Sequence, residues 1–284
     1  MRNKEREAAA NKAVTHIVDK AGPGFRSAEI GIILGTGWGD VLMDALEPGY
    51  FYYQLDGIPA FKSLLKMPQI EGHHRALIIG WLDNQKNVAM LRGRIHMNEM
   101  HDGEELAKMV RLQVELLIKL GVKHLILTNA AGSLRPEIGV GDIVAHDGFV
   151  TLFAPPLPLW AGEFVSPEDT LTLVNINKIL DVAYEAGLKC HVGAGAMVRG
   201  PYFEGRKHDK RILRECGAAM AMMSILPEAA VAALYPEVNV YALSFITNTA
   251  SEEHSHEENQ KRAKESSGKL GNFLLHLIKE INQR

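Results

Sequence analysis

Glu29-Ile30-Gly31-Ile32-Ile33-Leu34-Gly35-Thr36-Gly37-Trp38-Gly39 joins a short run of branched apolar residues to a glycine-rich stretch. The apolar run has no polar alternation, which predicts a strand buried on both faces, and the glycines predict a tight turn at its end. Reading outward, Leu77 to Leu82 and Val88 to Leu91 are two apolar runs separated by Asp83-Asn84-Gln85-Lys86-Asn87, the pattern of a hairpin. Glu104 to Leu120 carries apolar residues at helical spacing and closes on Gly121. Val122 to Leu127 reads as a strand ending in Thr128-Asn129-Ala130-Ala131-Gly132, and Ile143 to Ala145 as another. The stretch from Phe149 to Phe164 is rich in proline and aromatic residues without periodicity and reads as a loop. Ser166-Pro167-Glu168-Asp169 has a capping residue, a proline and two acids in order, predicting a helix that runs to Gly187. Val192 to Val198 and Val238 to Ile246 are further strands, with a short helix from Lys207 to Glu215 between them.

Two terminal helices complete the pattern. Residues 4–20 have apolar positions at helical spacing with Asn3 as N-cap. Ser255 with Glu258 forms a capping box ahead of a stripe made by Leu270, Phe273, Leu274, Leu277, Ile278 and Ile281. Strands and helices alternate throughout, with no repeat, linker or composition break. The expectation is one α/β domain over residues 1–284, a central sheet flanked by helices.

Composition narrows the function classes. The 284 residues are 46% hydrophobic and 23% charged, so a disordered or fibrous chain is excluded. Thirty-one basic against 34 acidic residues give a net charge of −3, so there is no bulk positive field to draw nucleic acid or an anionic membrane. Cys190 and Cys216 make neither a disulfide framework nor a metal knuckle, which points to a reducing compartment. The first residues lack an apolar signal region, and no stretch approaches the ~18 apolar residues of a membrane span. A cytoplasmic location is expected.

Ligands of open α/β sheets collect where strands end. The turn at Gly35 could hold an anion with backbone N–H groups and the Thr36 hydroxyl, or could be a plain turn. It is not a dinucleotide fingerprint, because the third glycine comes one residue early with Asp40 in its place, and it lacks the Lys-Ser/Thr of a P-loop. Arg94 and His96 lie two apart on an extended segment, either as a fork for an anion or as solvated edge residues. His73 and His74 read, on their own evidence, as surface histidines. No metal is expected: twelve histidines include His254-x-His256, but no H-E-x-x-H, cysteine pair or carboxylate set accompanies them. There is no G-x-S-x-G, and Ser224 lies in Met222-Met223-Ser224-Ile225, which suits a packed strand or turn.

Gly200-Pro201-Tyr202-Phe203-Glu204 after a strand, Asn129-Ala130-Ala131-Gly132 after another, Gly93-Arg94-Ile95-His96-Met97 after the hairpin and Thr247-Asn248 after a further apolar run occur in one unbroken order. From about Ile30 to the C-terminus the chain resembles the purine nucleoside phosphorylases of the homotrimeric class, relatives of the methylthioadenosine phosphorylases. The resemblance implies a mixed central β-sheet and reversible phosphorolysis without metal or organic cofactor, inorganic phosphate being a co-substrate. It implies that phosphate is held by Thr36, His73, Arg94, His96, the backbone amide of Ala130, and Ser224. It places the purine on Phe203, Glu204 and Asn248, and the sugar near Asn98, Met223 and His256. Asn248, His96 and Glu204 are the implied catalytic residues. An asparagine at 248, where methylthioadenosine phosphorylases carry aspartate, argues for inosine, guanosine and their deoxy forms.

The chain also departs from the family pattern. Asn98 replaces a tyrosine, Met222 a glycine, Gly205 a threonine and Arg75 a glycine, and the region Phe149 to Ser166 is shortened. In the family that region lends a phenylalanine to the neighbouring subunit of a trimer, a part open here to Trp160 or Phe164. The departures leave two other readings: the same chemistry on a methylthio-nucleoside, or a purine-binding homologue with weak or lost catalysis.

Overall fold

The computed structural model describes residues 2–83, 86–99, 103–160, 162–200, 203–205, 207–250, 261–262 and 264–281, with side chains from residue 7 onward. The run Ile30–Leu34 forms β1, buried along its whole length. It is buried on both faces because β4 (Lys86–Arg92) and β5 (His124–Ser133) flank it in parallel and helices cover the sheet above and below. β3 (Ala76–Leu82) and β4 make the expected antiparallel hairpin, and β2 (Phe51–Gln54) adds at its edge.

Beyond β5 the sheet closes on itself. β5 pairs in parallel with β9 (Asn239–Asn248) and, at its last two residues, antiparallel with β8 (Met220–Met222). β6 (Ile143–Val150) and β7 (Cys190–Met197) complete the ring, β6 beside β9 and β7 beside β8. Both parallel and antiparallel pairings occur, so the sheet is mixed.

The two faces of the sheet carry separate apolar cores. One gathers Ala10, Ala13 and Ile17 of α1 (Arg2–Ala21), the inner face of α2 (Gly103–Lys119) and α5 (Leu226–Ala232). The other gathers Ile176, Ile179 and Val182 of α3 (Leu173–Glu185) with Leu270, Phe273, Leu274, Leu277, Ile278 and Ile281 of α6 (Ser267–Ile281). The C-terminal stripe is therefore buried as its period predicts. The short α4 (Asp209–Glu215) ends at Gly217, whose φ of 93° needs a residue without Cβ.

Three expectations change. The strand expected to stop at Leu127 continues to Ser133, because Thr128 to Ala131 stay paired with β9. The helix expected from Ser166 is first a 3₁₀ turn, Pro167–Thr170. The α-helix begins after Thr172, whose hydroxyl accepts from the N–H of Asn175 at 3.2 Å. Asn3 lies inside α1, which already includes Arg2, so it is not the N-cap expected from the sequence; Ser255 and Glu258 lie outside the described residues.

Candidate functional site

A cavity of about 340 Å³ opens where β1, β5, β8 and β9 end. Thr36, His73, His96, Asn98, Ala130, Phe203, Glu204, Met223, Ser224 and Asn248 all border it, from segments spread over more than 200 residues of chain. His256 lies outside the described residues.

The glycine turn is built to lie against β5. A Cβ on Gly35 would strike the carbonyl of Thr128, so only glycine permits this approach. The N–H of Gly35 donates to Thr128 Oγ1 at 3.2 Å, and the Trp38 indole donates to the carbonyl of Asn129 at 3.0 Å. Thr36 is thereby held at the cavity beside His73, with Oγ1 3.2 Å from Nε2. His73 Nδ1 lies 3.1 Å from the Arg94 carbonyl, which can only accept, so Nδ1 carries the proton. In the neutral ring Nε2 then accepts from the Thr36 hydroxyl. His73 is 3% exposed, which corrects its reading as a surface residue; His74 is the exposed member of the pair.

Arg94 and His96 both turn inward, but not as a two-pronged fork. The His96 ring borders the cavity, 6.0 Å from that of His73. Its Nδ1 accepts from the N–H of Asn98 at 3.1 Å, leaving Nε2–H as a donor. Burial, with His73 and Arg94 adding to it, pulls the His96 pKa well below the ordinary imidazole range, so the ring is neutral. Arg94 lies deeper, its guanidinium 2.7 Å from Glu228 and donating also to the carbonyl of Thr128. It borders a small void with His96, Met223, Ser224 and Glu228 rather than the main cavity. The segment is clamped by Gln113, whose amide accepts from the N–H of Ile95 at 2.8 Å and donates to its carbonyl at 3.0 Å.

Ser224 follows β8 and receives a hydrogen bond from Asn129 Nδ2 at 3.4 Å. The next residue, Ile225, sits at φ 74°, a left-handed conformation rare for a β-branched residue, before α5 begins. At the opposite end, Asn248 closes β9 and its amide lies over Gly132, where a Cβ would come within 2.9 Å of Nδ2. Glu204 is 8% exposed with Lys210 Nζ at 3.9 Å; burial raises the carboxyl's pKa, Lys210 opposing and Asp209 adding to the shift. Phe203 stands half exposed at the rim.

The departures have definite places. Asn98 donates to the sulfur of Met223 at 3.4 Å, and Met222 packs over Gly195. Arg75 is buried at φ 47°, paired with Glu99 at 2.9 Å and donating to the carbonyls of Leu64, Met67 and Pro68. Glu228, Asn129 and Gln113 were not singled out by the sequence as functional. Asn129 lies inside the Asn129-Ala130-Ala131-Gly132 motif, whereas Glu228 meets Arg94 across 134 residues with no local signal.

Comparison with known proteins agrees with this geometry. The phosphorylase superfamily model matches residues 29–279. The purine nucleoside phosphorylase of Rattus norvegicus is 30% identical over 273 residues, covering 90% of each chain. The Schistosoma mansoni purine nucleoside phosphorylase solved with adenosine superposes with a TM-score of 0.79 at 25% identity, over 97% of this chain and 98% of that one. A schistosoma enzyme solved with hypoxanthine gives 0.77 at 26% identity, over 97% of both. The chain thus belongs to the phosphorylase superfamily, in its purine nucleoside phosphorylase family of pentosyltransferases.

Proposed function

We propose that the chain catalyses reversible phosphorolysis of 6-oxopurine nucleosides, inosine, guanosine and their deoxy forms, giving the free base and (deoxy)ribose 1-phosphate. The observation that carries this reading is one cavity with neutral donors at one end and a carboxylate with a carboxamide at the other. Phosphate sits against Thr36, His96, Ser224 and the N–H of Ala130, its own O–H facing the unprotonated Nε2 of His73, with Arg94 behind them supplying charge. Held there, one phosphate oxygen faces the anomeric carbon, and the entropy of bringing the two together is met by binding.

Glu204 accepts from N1–H and, in guanine, from the 2-amino group. Asn248 donates to O6 or N7 as the base departs with developing negative charge. Phe203 stacks on the base. Asn98 and Met223 line the sugar region, and His256 is assigned to the same end. No metal or organic cofactor takes part in this scheme.

A second reading is a methylthio-nucleoside as substrate, favoured by the soft wall of Met222 and Met223 beside Asn98. The relatives' ligands include adenosine and hypoxanthine. Comparing kcat/KM for inosine, guanosine, adenosine and methylthioadenosine at fixed phosphate tests both. The first two should exceed the others by about tenfold or more; a preference for methylthioadenosine would overturn the 6-oxopurine assignment.

We also assign a trimer with a shared sugar site. Trp160 is held under Arg111 at 5.1 Å, while Phe164 is 94% exposed, so Phe164 is the residue that reaches a neighbouring subunit.

A further inference from the structure

Behind the anion end of the cavity, polar side chains from three strands and Ser224, just after β8, form one hydrogen-bonded line. His146 Nε2 of β6 lies 2.8 Å from Ser244 Oγ of β9. Ser244 donates to Asn129 Oδ1 at 2.5 Å, its cross-strand neighbour in the β5–β9 pair. Asn129 Nδ2 donates to Ser224 Oγ at 3.4 Å. His146, Ser244 and Asn129 are each at most 2% exposed, and Asn129 and Ser224 border the cavity.

Counting donors and acceptors gives the line a direction. Asn129 Oδ1 can only accept, so the Ser244 hydroxyl proton is used there. Ser244 Oγ must then accept from His146, which places the imidazole proton on Nε2. With its oxygen fixed, the Asn129 carboxamide presents Nδ2–H to Ser224. The Ser224 proton is left to point into the cavity. Each bond polarises the next in the same sense.

We propose that His146 is a positioning residue that, through Ser244 and Asn129, holds Ser224 as a hydrogen-bond donor toward an anion in the cavity. The inference rests on reading that end of the cavity as the phosphate site. A purely apolar residue would pack here at lower cost, because His146 Nδ1 is buried without a hydrogen-bond partner among the described residues. The ring is fixed by Phe149, 5.4 Å away between centroids, and by Gly195, where a Cβ would meet its Cε1 at 2.8 Å. Burial lowers the His146 pKa to about 3, so the direction of the line does not reverse over the neutral range.

The test is titration of the full chain with inorganic phosphate by calorimetry, alongside separate KM values for phosphate and nucleoside. His146→Leu should weaken phosphate binding about tenfold, the scale of one hydrogen bond to a charged group, with nucleoside KM unchanged. His146→Gln, whose amide can donate from nearly the same position, should restore most of the affinity. Ser244→Ala breaks the line at its middle and should behave like the leucine variant, which keeps the test valid if the latter fails to fold. Phosphate affinity unchanged in both His146→Leu and Ser244→Ala, or lost equally in the glutamine variant, overturns the proposal. Intact phosphate binding without phosphorolysis in the parent chain would instead sink the functional reading and leave the line standing.

Discussion

At the scale of single residues, Arg94 is the clearest case of a charge kept out of water by one partner. Its guanidinium is 1% exposed and meets Glu228, itself 1% exposed. Burial lowers the pKa of Arg94, and the neighbouring carboxylate opposes that shift. Glu228→Gln should therefore cost about 3 kcal/mol of stability. Saturating phosphate should return part of it, because the anion replaces the lost counter-charge. Equal depression of the melting temperature with and without phosphate would contradict that placement of the anion. At the base end, Asn248→Asp exchanges a donor for an acceptor and should shift kcat/KM toward adenosine relative to inosine by about tenfold. An unchanged ratio would remove Asn248 from base selection. Asn248 and Glu204 are legible in the sequence through their motifs, and Thr36 through its glycines. Glu228 is not, since no local pattern connects it with a strand end 134 residues earlier. His73 misreads as a surface residue because inward orientation depends on the carbonyl of Arg94, which only the folded chain brings to it.

At the scale of elements, the apolar runs foretell the strands and the glycines foretell several of their ends, but the edges shift wherever tertiary pairing overrides local pattern. Thr128-Asn129-Ala130-Ala131 has no apolar period, yet it stays extended because β9 offers partners along its length. Pro167 starts only a 3₁₀ turn, and the helix waits for Thr172. Thr172→Ala should cost about 1 kcal/mol in chemical denaturation, and no loss would mean that the cap is dispensable. Arg75 acts as a clasp between two segments: it holds the carbonyls of Leu64, Met67 and Pro68 and the buried carboxylate of Glu99 just after Asn98. Removing it leaves the buried Glu99 carboxyl without its cation, so Arg75→Ala should cost about 3 kcal/mol. Glu99→Gln in the same background should recover a part. If the double variant is no more stable than the single one, the ion pair is not what Arg75 contributes.

At the scale of the whole molecule, the closed strand ring brings the ends of β5, β8 and β9 to one cavity and buries the histidines around it. The pKa of His96 is held well below its usual value and that of His146 is lowered to about 3, in both cases chiefly by burial. The unfolded chain takes up protons near pH 6.5 that the folded chain refuses, so stability is full above that pH and falls below it. Each such histidine contributes a slope of about 1.4 kcal/mol per pH unit. His146→Gln should flatten the acid limb by about that amount between roughly pH 6 and 4.5, and an unaltered slope would show that another group sets it. In the proposed function one cavity holds phosphate against a nucleoside so that phosphate, not water, takes the sugar. This is tested most directly by incubating the protein with inosine, with and without inorganic phosphate, and resolving hypoxanthine, ribose and ribose 1-phosphate. Hypoxanthine and ribose 1-phosphate are expected in equal amounts and only when phosphate is present. Free ribose formed without phosphate, or no turnover while hypoxanthine still binds, would contradict it.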